Sequence, residues 1–505
     1  MLAIAQSTAV ARAIERENPG VSVELVGIET QGDRILDVPL SKIEGKEFFV
    51  AELDQALLNG DVDLTVHSMK DLSLERPDNI VLAAIPAREN PRDVVLFGRG
   101  VPAKLAAGEP LVVGTSSPRR IENLEPFLAR ALPDLGHSPQ MTTKEIRGNV
   151  NTRISFLSLP DDDPKKIDAV VLAFAGLNRL WADAAGHDAL TQLLDGLRWM
   201  LLPLKAFPTA PAQGALAIEC RAVDIATRGA IGKLHCADTQ AAVAAERQIL
   251  NDWGGGCHQR FGATSVTYDG LGSLLFIRGR KPDDTFVEET RWSELPAVPA
   301  PRWDGANWRD ASFSSRVLTG EQPPAWLTRP GATFIAHSRA LPDAWISNLR
   351  DNLSRRVWTS GVASWLRLAS QGIWVEGCAE EFGFEALQPT LRAGVLQLPE
   401  WPEWTVLSHN QAVDTWPGEQ VTATYEVQSA DAVDAEHPAV IALREARSVF
   451  WTSASQFELF REWIPENCQH ACRYGKTYFY LRDQGLSDLV VFPDVSEWRQ
   501  CEESC

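Results

Sequence analysis

Basic residues are the scarce ingredient of this chain. Its 505 residues hold 48 Lys and Arg against 67 Asp and Glu, a formal net charge of -19. So acidic a chain lacks the broad positive field that drives counterion release, which excludes nucleic acid as an expected partner. Cysteine is sparse as well. The eight cysteines show no paired spacing in the first two thirds of the chain, which fits a reducing compartment better than a disulfide framework. No apolar run is long enough to span a bilayer, and Met1-Leu-Ala-Ile-Ala-Gln-Ser-Thr-Ala-Val-Ala-Arg12 has no cationic leader before a long apolar core. The expectation is a cytoplasmic protein with no membrane partner.

What is present is a soluble globular composition, 45% hydrophobic and 23% charged, in a chain too long for one ordinary core. Up to about residue 290, amphipathic helical stretches alternate with short apolar runs: Val62-Asp-Leu-Thr-Val66, Leu111-Val-Val113, Ala169-Val-Val-Leu-Ala173 and Ala215-Leu-Ala-Ile218. That alternation predicts α/β layers with parallel sheets. Phe49, Leu53, Ala56 and Leu57 share one helical face and read as core. Between Ser293 and Pro330 the texture turns Pro-rich, as in Leu295-Pro-Ala-Val-Pro-Ala-Pro301, and reads as a linker or irregular structure packed on a domain. Thirteen of the seventeen tryptophans lie at Trp303 or later, so the C-terminal part is a different unit. It carries a faint repeat, Val357-Trp-Thr-Ser360 and Phe450-Trp-Thr-Ser453, each ahead of a helix-like segment. A strand followed by an N-capped helix is the favoured reading, with an anion site as the alternative.

The few arginines are concentrated. Gly114-Thr-Ser-Ser-Pro-Arg-Arg120 and Arg147-Gly-Asn-Val-Asn-Thr-Arg153 set guanidinium groups beside Gly, Ser and Thr, and Arg179 ends Ala175-Gly-Leu-Asn-Arg179. Each alone reads as a solvated surface arginine. Together, at expected strand ends, they point to a pocket for a polyanion, because forked donors grip carboxylate or phosphate bidentately. A second group, His67-Ser-Met-Lys-Asp71, ends an apolar strand and delivers Asp71 beside Lys70, which keeps it ionised. His67 by itself reads as structural. A third, Gly254-Gly-Gly-Cys257-His258, leaves the Cys257 sulfur accessible on a glycine loop, where a bulky group could be carried covalently or the thiol could simply be free. No metal is expected: Cys468-Gln-His-Ala-Cys472 and Cys501-Glu-Glu-Ser-Cys505 lack standard zinc-finger spacing.

In this order the motifs closely resemble the hydroxymethylbilane synthase, or porphobilinogen deaminase, family. The resemblance runs to about residue 290 and adds Thr30-Gln-Gly-Asp33, Gly45-Lys-Glu-Phe-Phe49, Asn90-Pro-Arg-Asp93 and Pro211-Ala-Gln-Gly-Ala-Leu-Ala-Ile-Glu219 to the segments above. It implies a dipyrromethane cofactor in thioether linkage to Cys257, on which four porphobilinogen units polymerise with loss of ammonia. Asp71 and Lys70 match catalytic positions, Asp71 stabilising the cationic pyrrole formed on deamination. Ser116, Ser117, Arg119, Arg120, Lys70 and Asp71 match cofactor contacts. Arg147, Arg153 and Arg179 would hold carboxylates of the substrate and growing chain.

The implied fold is α/β, with two periplasmic-binding-protein-like doubly wound domains at 1–87 plus 203–232 and at 88–202, and a small α+β cysteine domain at 233–295. A linker at 296–330 would then lead to residues 331–505, whose Trp-Thr-Ser repeats and Tyr474-Gly-Lys-Thr477 are similar to uroporphyrinogen-III synthase, making Ser360, Ser453 and Thr477 candidate contacts to product carboxylates. A monomer is expected. The sequence departs from the family's pattern in several places. Met1 stands where a strand and an Arg-x-Ser segment usually precede Leu-Ala-x-x-Gln, Glu47 replaces a glycine, and Pro118 replaces a leucine. The third domain is expected to end soon after Phe276-Ile-Arg-Gly279. The alternative from another class is a non-catalytic module that binds anions or tetrapyrroles, with a degenerate C-terminal partner.

Overall fold

A computed structural model describes residues 1–29, 50–254, 259–294, 296–306, 314–318, 322–400, 403–410, 412, 420–429, 433–486 and 489–501. The motifs at 30–33 and 45–49, Glu47 included, lie outside the described residues. The chain divides into two compact units. The first comprises Met1–Arg130, Asp134–Val266 and Leu275–Arg291; the second comprises Ala131–Pro133, Thr267–Leu274 and Trp292–Cys505. Both are mixed α/β. Among the described residues no helix is long and apolar enough to cross a membrane.

Two sheets frame the first unit. One is three-stranded, with Leu216–Arg221 in the centre and Leu64–Ser68 and Ile80–Ala84 on either side, both antiparallel to it. The other has five strands in the order Met141–Lys144, Leu111–Gly114, Ala169–Ala173, Asp93–Phe97 and Arg198–Leu201. The parallel pairing expected from helix-strand alternation holds for Leu111–Gly114 with both of its neighbours. Asp93–Phe97 instead runs antiparallel to both strands beside it. A central strand buried along its length is apolar except where a polar residue finds a buried partner, as Asp93 does at its head. Val94, Val95, Leu96 and Phe97 are accordingly fully buried.

A third sheet orders Phe286–Trp292, Gly272–Arg280 and Arg260–Tyr268. The last of these strands in sequence, Phe286–Trp292, lies past Gly279 and inside the stretch 233–295. The helix Ala237–Asp252 packs on this sheet through Ile249, which meets Phe261, Ala263, Leu275 and Ile277. Farther back along the same helix, Val243 joins Met69, Leu72, Ile85 and Ala215 in a second core. One helix thus spans two cores of the first unit.

The second unit holds a six-stranded sheet and a four-stranded sheet. In the former, Gly331–Ile335 lies between Arg355–Thr359 and Trp404–His409, parallel to both. Ser314–Leu318 pairs antiparallel with Gln420–Ser429 at one edge, and Arg302–Trp303 pairs with Ser448–Trp451 in the four-stranded sheet. Both edge strands fall within the stretch read as a linker. Its proline content does not prevent short edge pairing, where missing ladder donors cost little. Trp358, Trp404, Trp451 and Trp498 are almost fully buried here.

Candidate functional site

Strand Leu64–Ser68 alternates partly exposed and buried residues, and its end tightens into a single 3-10 turn, Met69–Asp71. The turn is pinned by its apolar members: Met69 and Leu72 are buried, and the Met69 amide donates to the Ala215 carbonyl at 3.0 Å. Lys70 is partly buried and reaches inward, while Asp71 is exposed, so the two charged residues of the turn meet different surroundings. Burial pushes the Lys70 ammonium below its ordinary pKa, against the pull of Asp71. Its Nζ lies 3.5 Å from Gln213 Oε1. Preceding this turn, Ser68 accepts a hydrogen bond from Gln6 Nε2 at 3.1 Å.

His67 is buried and hydrogen-bonded, its Nε2 3.1 Å from Thr65 Oγ1. Its Nε2 lies 3.3 Å from Glu219 Oε2, and Arg76 donates to both oxygens of that carboxylate at 2.8 and 2.7 Å and to Asp54 at 2.5 Å. Burial acts to raise the Glu219 pKa, but hydrogen bonds from His67 and Arg76 outweigh it and hold the carboxyl low. Asp54, His67 and Glu219 are near enough to one another to hold a metal. Arg76 already supplies the compensating positive charge, so the cluster reads as a structural ion network.

The arginines gather around the turn. Arg119 and Arg120 open helix Pro118–Ala131 and are buried, and both reach the fully buried Asp93 at the head of its strand. Arg120 Nη2 donates to Asp93 Oδ1 at 2.7 Å and Arg119 Nη2 to Oδ2 at 2.8 Å. Burial alone would raise the Asp93 carboxyl; Arg119 and Arg120 hold it well below the usual carboxylate range. Gln213 Nε2 completes the shell at 2.9 Å. Arg119 keeps one buried donor, Nε, without a hydrogen-bond partner. Burial lowers its pKa and Asp93 opposes that shift.

Arg153 donates from Nε to the Gly148 carbonyl at 2.8 Å. Gly148 holds a positive φ of 109°, and a Cβ there would meet Thr152 at 2.8 Å, so this tight bend requires glycine. Burial, and then repulsion from Arg120 and Arg147, bring Arg153 down to about 10. Lys70 in turn feels Arg119, Arg120 and Asp93. Among the described residues, Lys70, Arg119, Arg120, Arg147 and Arg153 therefore share one electrostatic neighbourhood in which Asp71 and Asp93 are the acids acting on Lys70. Arg179 stands beside it, donating to the Gly214 carbonyl at 2.6 Å, its pKa lowered by burial and partly restored by Glu89.

The serines play local roles. Ser116 Oγ donates to the Ile146 carbonyl, and the Ser117 carbonyl accepts the Ile121 amide at 3.0 Å, starting the helix. Cys257 lies outside the described residues. Helix Ala237–Asp252, which precedes it in sequence, is anchored by buried Glu246: Arg88 donates to both its oxygens at 2.6 and 3.0 Å, and the Ala212 and Ser265 amides each donate at 2.6 Å. From sequence no role was given to Asp93, Gln213, Arg88 or Glu246, although Asp93 and Gln213 fall within the segments Asn90-Pro-Arg-Asp93 and Pro211-Ala-Gln-Gly-Ala-Leu-Ala-Ile-Glu219. A visible signal existed for Glu219, an acid set within the apolar run Leu216-Ala-Ile-Glu-Cys220.

A dipyrromethane, with an acetate and a propionate on each ring, is an anion that would need several such cations. The surplus of partly or fully buried cationic groups and the unpartnered Arg119 Nε fit a polycarboxylate held at this place.

In the second unit, Ser453 caps helix Ala454–Phe460 by accepting the Gln456 amide at 3.1 Å. Ser360 does not cap; Gly361 takes that position, and the Ser360 carbonyl accepts the Glu381 amide at 2.8 Å. Thr477 lies in the first turn of Lys476–Asp483, whose N-cap Gly475 has φ of 120°. Arg473 pairs with Glu381 at 2.5 Å and Tyr480 donates to Glu458 at 2.6 Å. The elements bearing the three hydroxyls therefore adjoin one another. Cys468 and Cys472 are buried thiols, with Cys468 pushed up to about 11 by that burial; Cys505 lies outside the described residues.

Solved structures add little. A uroporphyrinogen III synthase of Thermus thermophilus covers 39% of this chain and 95% of its own at 12% identity, with a TM-score of 0.25, too low to show a shared fold. The sequence comparisons are stronger. The family model "Porphobilinogen deaminase, dipyromethane cofactor binding domain" matches residues 1–229. Porphobilinogen deaminase of Trichlorobacter lovleyi is 43% identical over 298 residues, 59% of this chain and 86% of that protein. Those of Chromobacterium violaceum and Shouchella clausii are both 39% identical, over 54% and 57% of this chain and 81% and 84% of theirs. Since nearly the whole length of such relatives is represented, and the matched cofactor domain contains the turn and arginines described above, the chain belongs to the porphobilinogen deaminase family.

Proposed function

We propose that this protein is a hydroxymethylbilane synthase that joins four porphobilinogen units, with loss of ammonia, on a dipyrromethane primer linked to Cys257. The observation that carries this reading is the linkage of the turn bearing Lys70 and Asp71 to the buried arginines: Lys70 Nζ lies 3.5 Å from Gln213 Oε1, and Gln213 donates to Asp93, which Arg119 and Arg120 share. When bound, the dipyrromethane supplies the pyrrole end on which chain growth begins. Arg119, Arg120, Arg147, Arg153 and Arg179 neutralise side-chain carboxylates, whose number rises as units are added. Asp71 faces outward from a buried turn and stabilises the positive charge that develops as ammonia leaves; a fixed carboxylate suits that task because it needs no reorganisation. Lys70 stands next to it as a cation. The domain pattern proposed with this function is 1–87 plus 203–232, 88–202 and 233–295.

The same proposal makes residues 331–505 a uroporphyrinogen-III synthase that closes the linear product. Its support is the repeated strand, Thr-Ser and helix arrangement at 355–369 and 448–460, with Ser360, Ser453 and Thr477 offered to product carboxylates.

Intact-mass measurement of the expressed full chain tests the first part. A dipyrrole increment lost in Cys257→Ala, together with porphobilinogen consumption, is the expected result; unmodified protein from cells supplied with precursor would sink it. Reversible anion binding that survives both Cys257→Ala and Asp71→Ala would favour the non-catalytic module instead. For the second part, the full chain is given hydroxymethylbilane and the ring isomers are separated. Formation of the type I ring alone would exclude the synthase reading.

A further inference from the structure

Three carbonyls of the segment that carries Lys70 and Asp71 converge on a single side chain. Arg247 Nη1 donates to the Met69 and Leu72 carbonyls at 3.1 and 3.2 Å, and Nη2 donates to the Ser73 carbonyl at 2.8 Å. These carbonyls bracket Lys70 and Asp71 from both sides. Within the turn the Met69 carbonyl accepts the Leu72 amide at 3.3 Å, and Arg247 adds a second donor to it while also reaching the two carbonyls that follow the turn. The arginine comes from helix Ala237–Asp252, and the residue one turn earlier on the same face, Val243, packs with Met69 and Leu72. The turn is thus held twice by one helical face, by apolar contact and by a guanidinium fork.

The adjacent residue makes the helix a fixed reference. Glu246 is fully buried against Arg88, the Ala212 amide and the Ser265 amide. Next along from Ala212, Gln213 donates to Asp93, the acid that orients Arg119 and Arg120. Positions 246 and 247 therefore tie the acidic turn and the buried arginines to the same helical turn.

We propose that Arg247 is a positioning residue: it clamps the turn bearing Lys70 and Asp71 to helix Ala237–Asp252, so that the Asp71 carboxylate is presented at a fixed place relative to Arg119 and Arg120. This rests on the deaminase reading for its consequence and on geometry alone for the clamp. Arg247→Met keeps the apolar stem and removes every donor; Arg247→Lys returns one compact charge without the fork. In the full chain, hydrogen exchange over residues 68–74 is expected to quicken in Arg247→Met, less in Arg247→Lys, and to stay unchanged over strand 93–97. With primer loading intact by mass, kcat for porphobilinogen should fall by roughly tenfold to a hundredfold while KM stays within about twofold, the signature of a misplaced group rather than a lost binding contact.

Unchanged exchange over 68–74 in both variants overturns the clamp, and so does exchange that rises equally at 93–97. A kcat loss that merely follows primer loading overturns the positioning role. Absence of turnover in the unsubstituted chain would instead defeat the deaminase reading, and the exchange result would still decide whether the clamp exists.

Discussion

Where the first unit buries Asp93 with Arg119 and Arg120, Glu246 with Arg88, and Glu219 with Arg76, the second buries Trp358, Trp404, Trp451 and Trp498. The two cores are stabilised by different physics. Aromatic side chains contribute through area removed from water and through packing. Buried ion pairs contribute little net stability, since desolvation offsets most of their attraction. A core that nonetheless keeps several of them is holding charge in place for another reason. In the first unit these three networks lie beside the acidic turn, the arginines or the helix that fixes them. The second unit has buried charge too, in Arg355 and in the Arg356–Glu376 pair, but these fasten neighbouring strands: Arg355 donates to Thr333, Thr405 and main-chain carbonyls and stacks on Trp326 at 4.5 Å, and Arg356 reaches Glu376 beside the next strand.

The largest expected effect separates chemistry from folding. Asp71 is exposed, so Asp71→Asn should leave the thermal midpoint unchanged while lowering kcat by roughly a hundredfold or more, the size seen when a preorganised electrostatic group is removed. Porphobilinogen turnover measured beside a melting curve checks this; loss of both together would place Asp71 in the fold instead.

Next in size are two core substitutions of similar magnitude and different character. Asp93→Ala strands two buried guanidinium groups and should cost about 3–5 kcal/mol. Trp451→Ala, which empties a fully buried site and frees the His470 ring from its indole partner, should cost about 3–5 kcal/mol as well. Acid distinguishes them. The Asp93 carboxyl is held below its unfolded value, so its contribution is present above that value, about 3.9, and is lost as pH falls toward the folded one. The gap in melting temperature between the unsubstituted chain and Asp93→Asn should therefore narrow below about pH 4. The gap for Trp451→Ala should show no such trend.

How much of this was legible beforehand differs between the two cores. The strands at 111–114, 169–173 and 216–221 announced themselves as apolar runs, and the crowding of tryptophan past Trp303 announced a distinct second unit. The arginine clusters were equally visible. Their internal counter-ion was not, because Asp93 meets Arg119 and Arg120 only after strand 93–97 pairs with 169–173, a contact between distant segments that no local pattern encodes. The same holds for Arg247, which carries no local signal and becomes informative only once it meets the carbonyls of Met69, Leu72 and Ser73. The antiparallel course of strand 93–97 was hidden for a related reason. Alternating helices and strands predict parallel crossovers, whereas a strand paired on both sides takes its direction from where the chain enters the sheet.

The smallest effect tests whether the two Trp-Thr-Ser segments of the second unit are equivalent. Local sequence treats Ser360 and Ser453 alike, each at a strand end ahead of a helix. Ser453 accepts the Gln456 amide and satisfies one of the helix's free donors, so Ser453→Ala should cost about 1 kcal/mol. Ser360 stands one residue before the cap and engages its neighbours through main-chain groups, its amide donating to Ile335 and its carbonyl accepting from Glu381. Ser360→Ala should therefore stay within about 0.5 kcal/mol of the unsubstituted chain. Denaturant titrations of the two variants check the difference. If type III ring formation then falls in Ser360→Ala while stability does not, the hydroxyl without a capping role is the one available to a product carboxylate; equal stability losses would make the two segments structural twins.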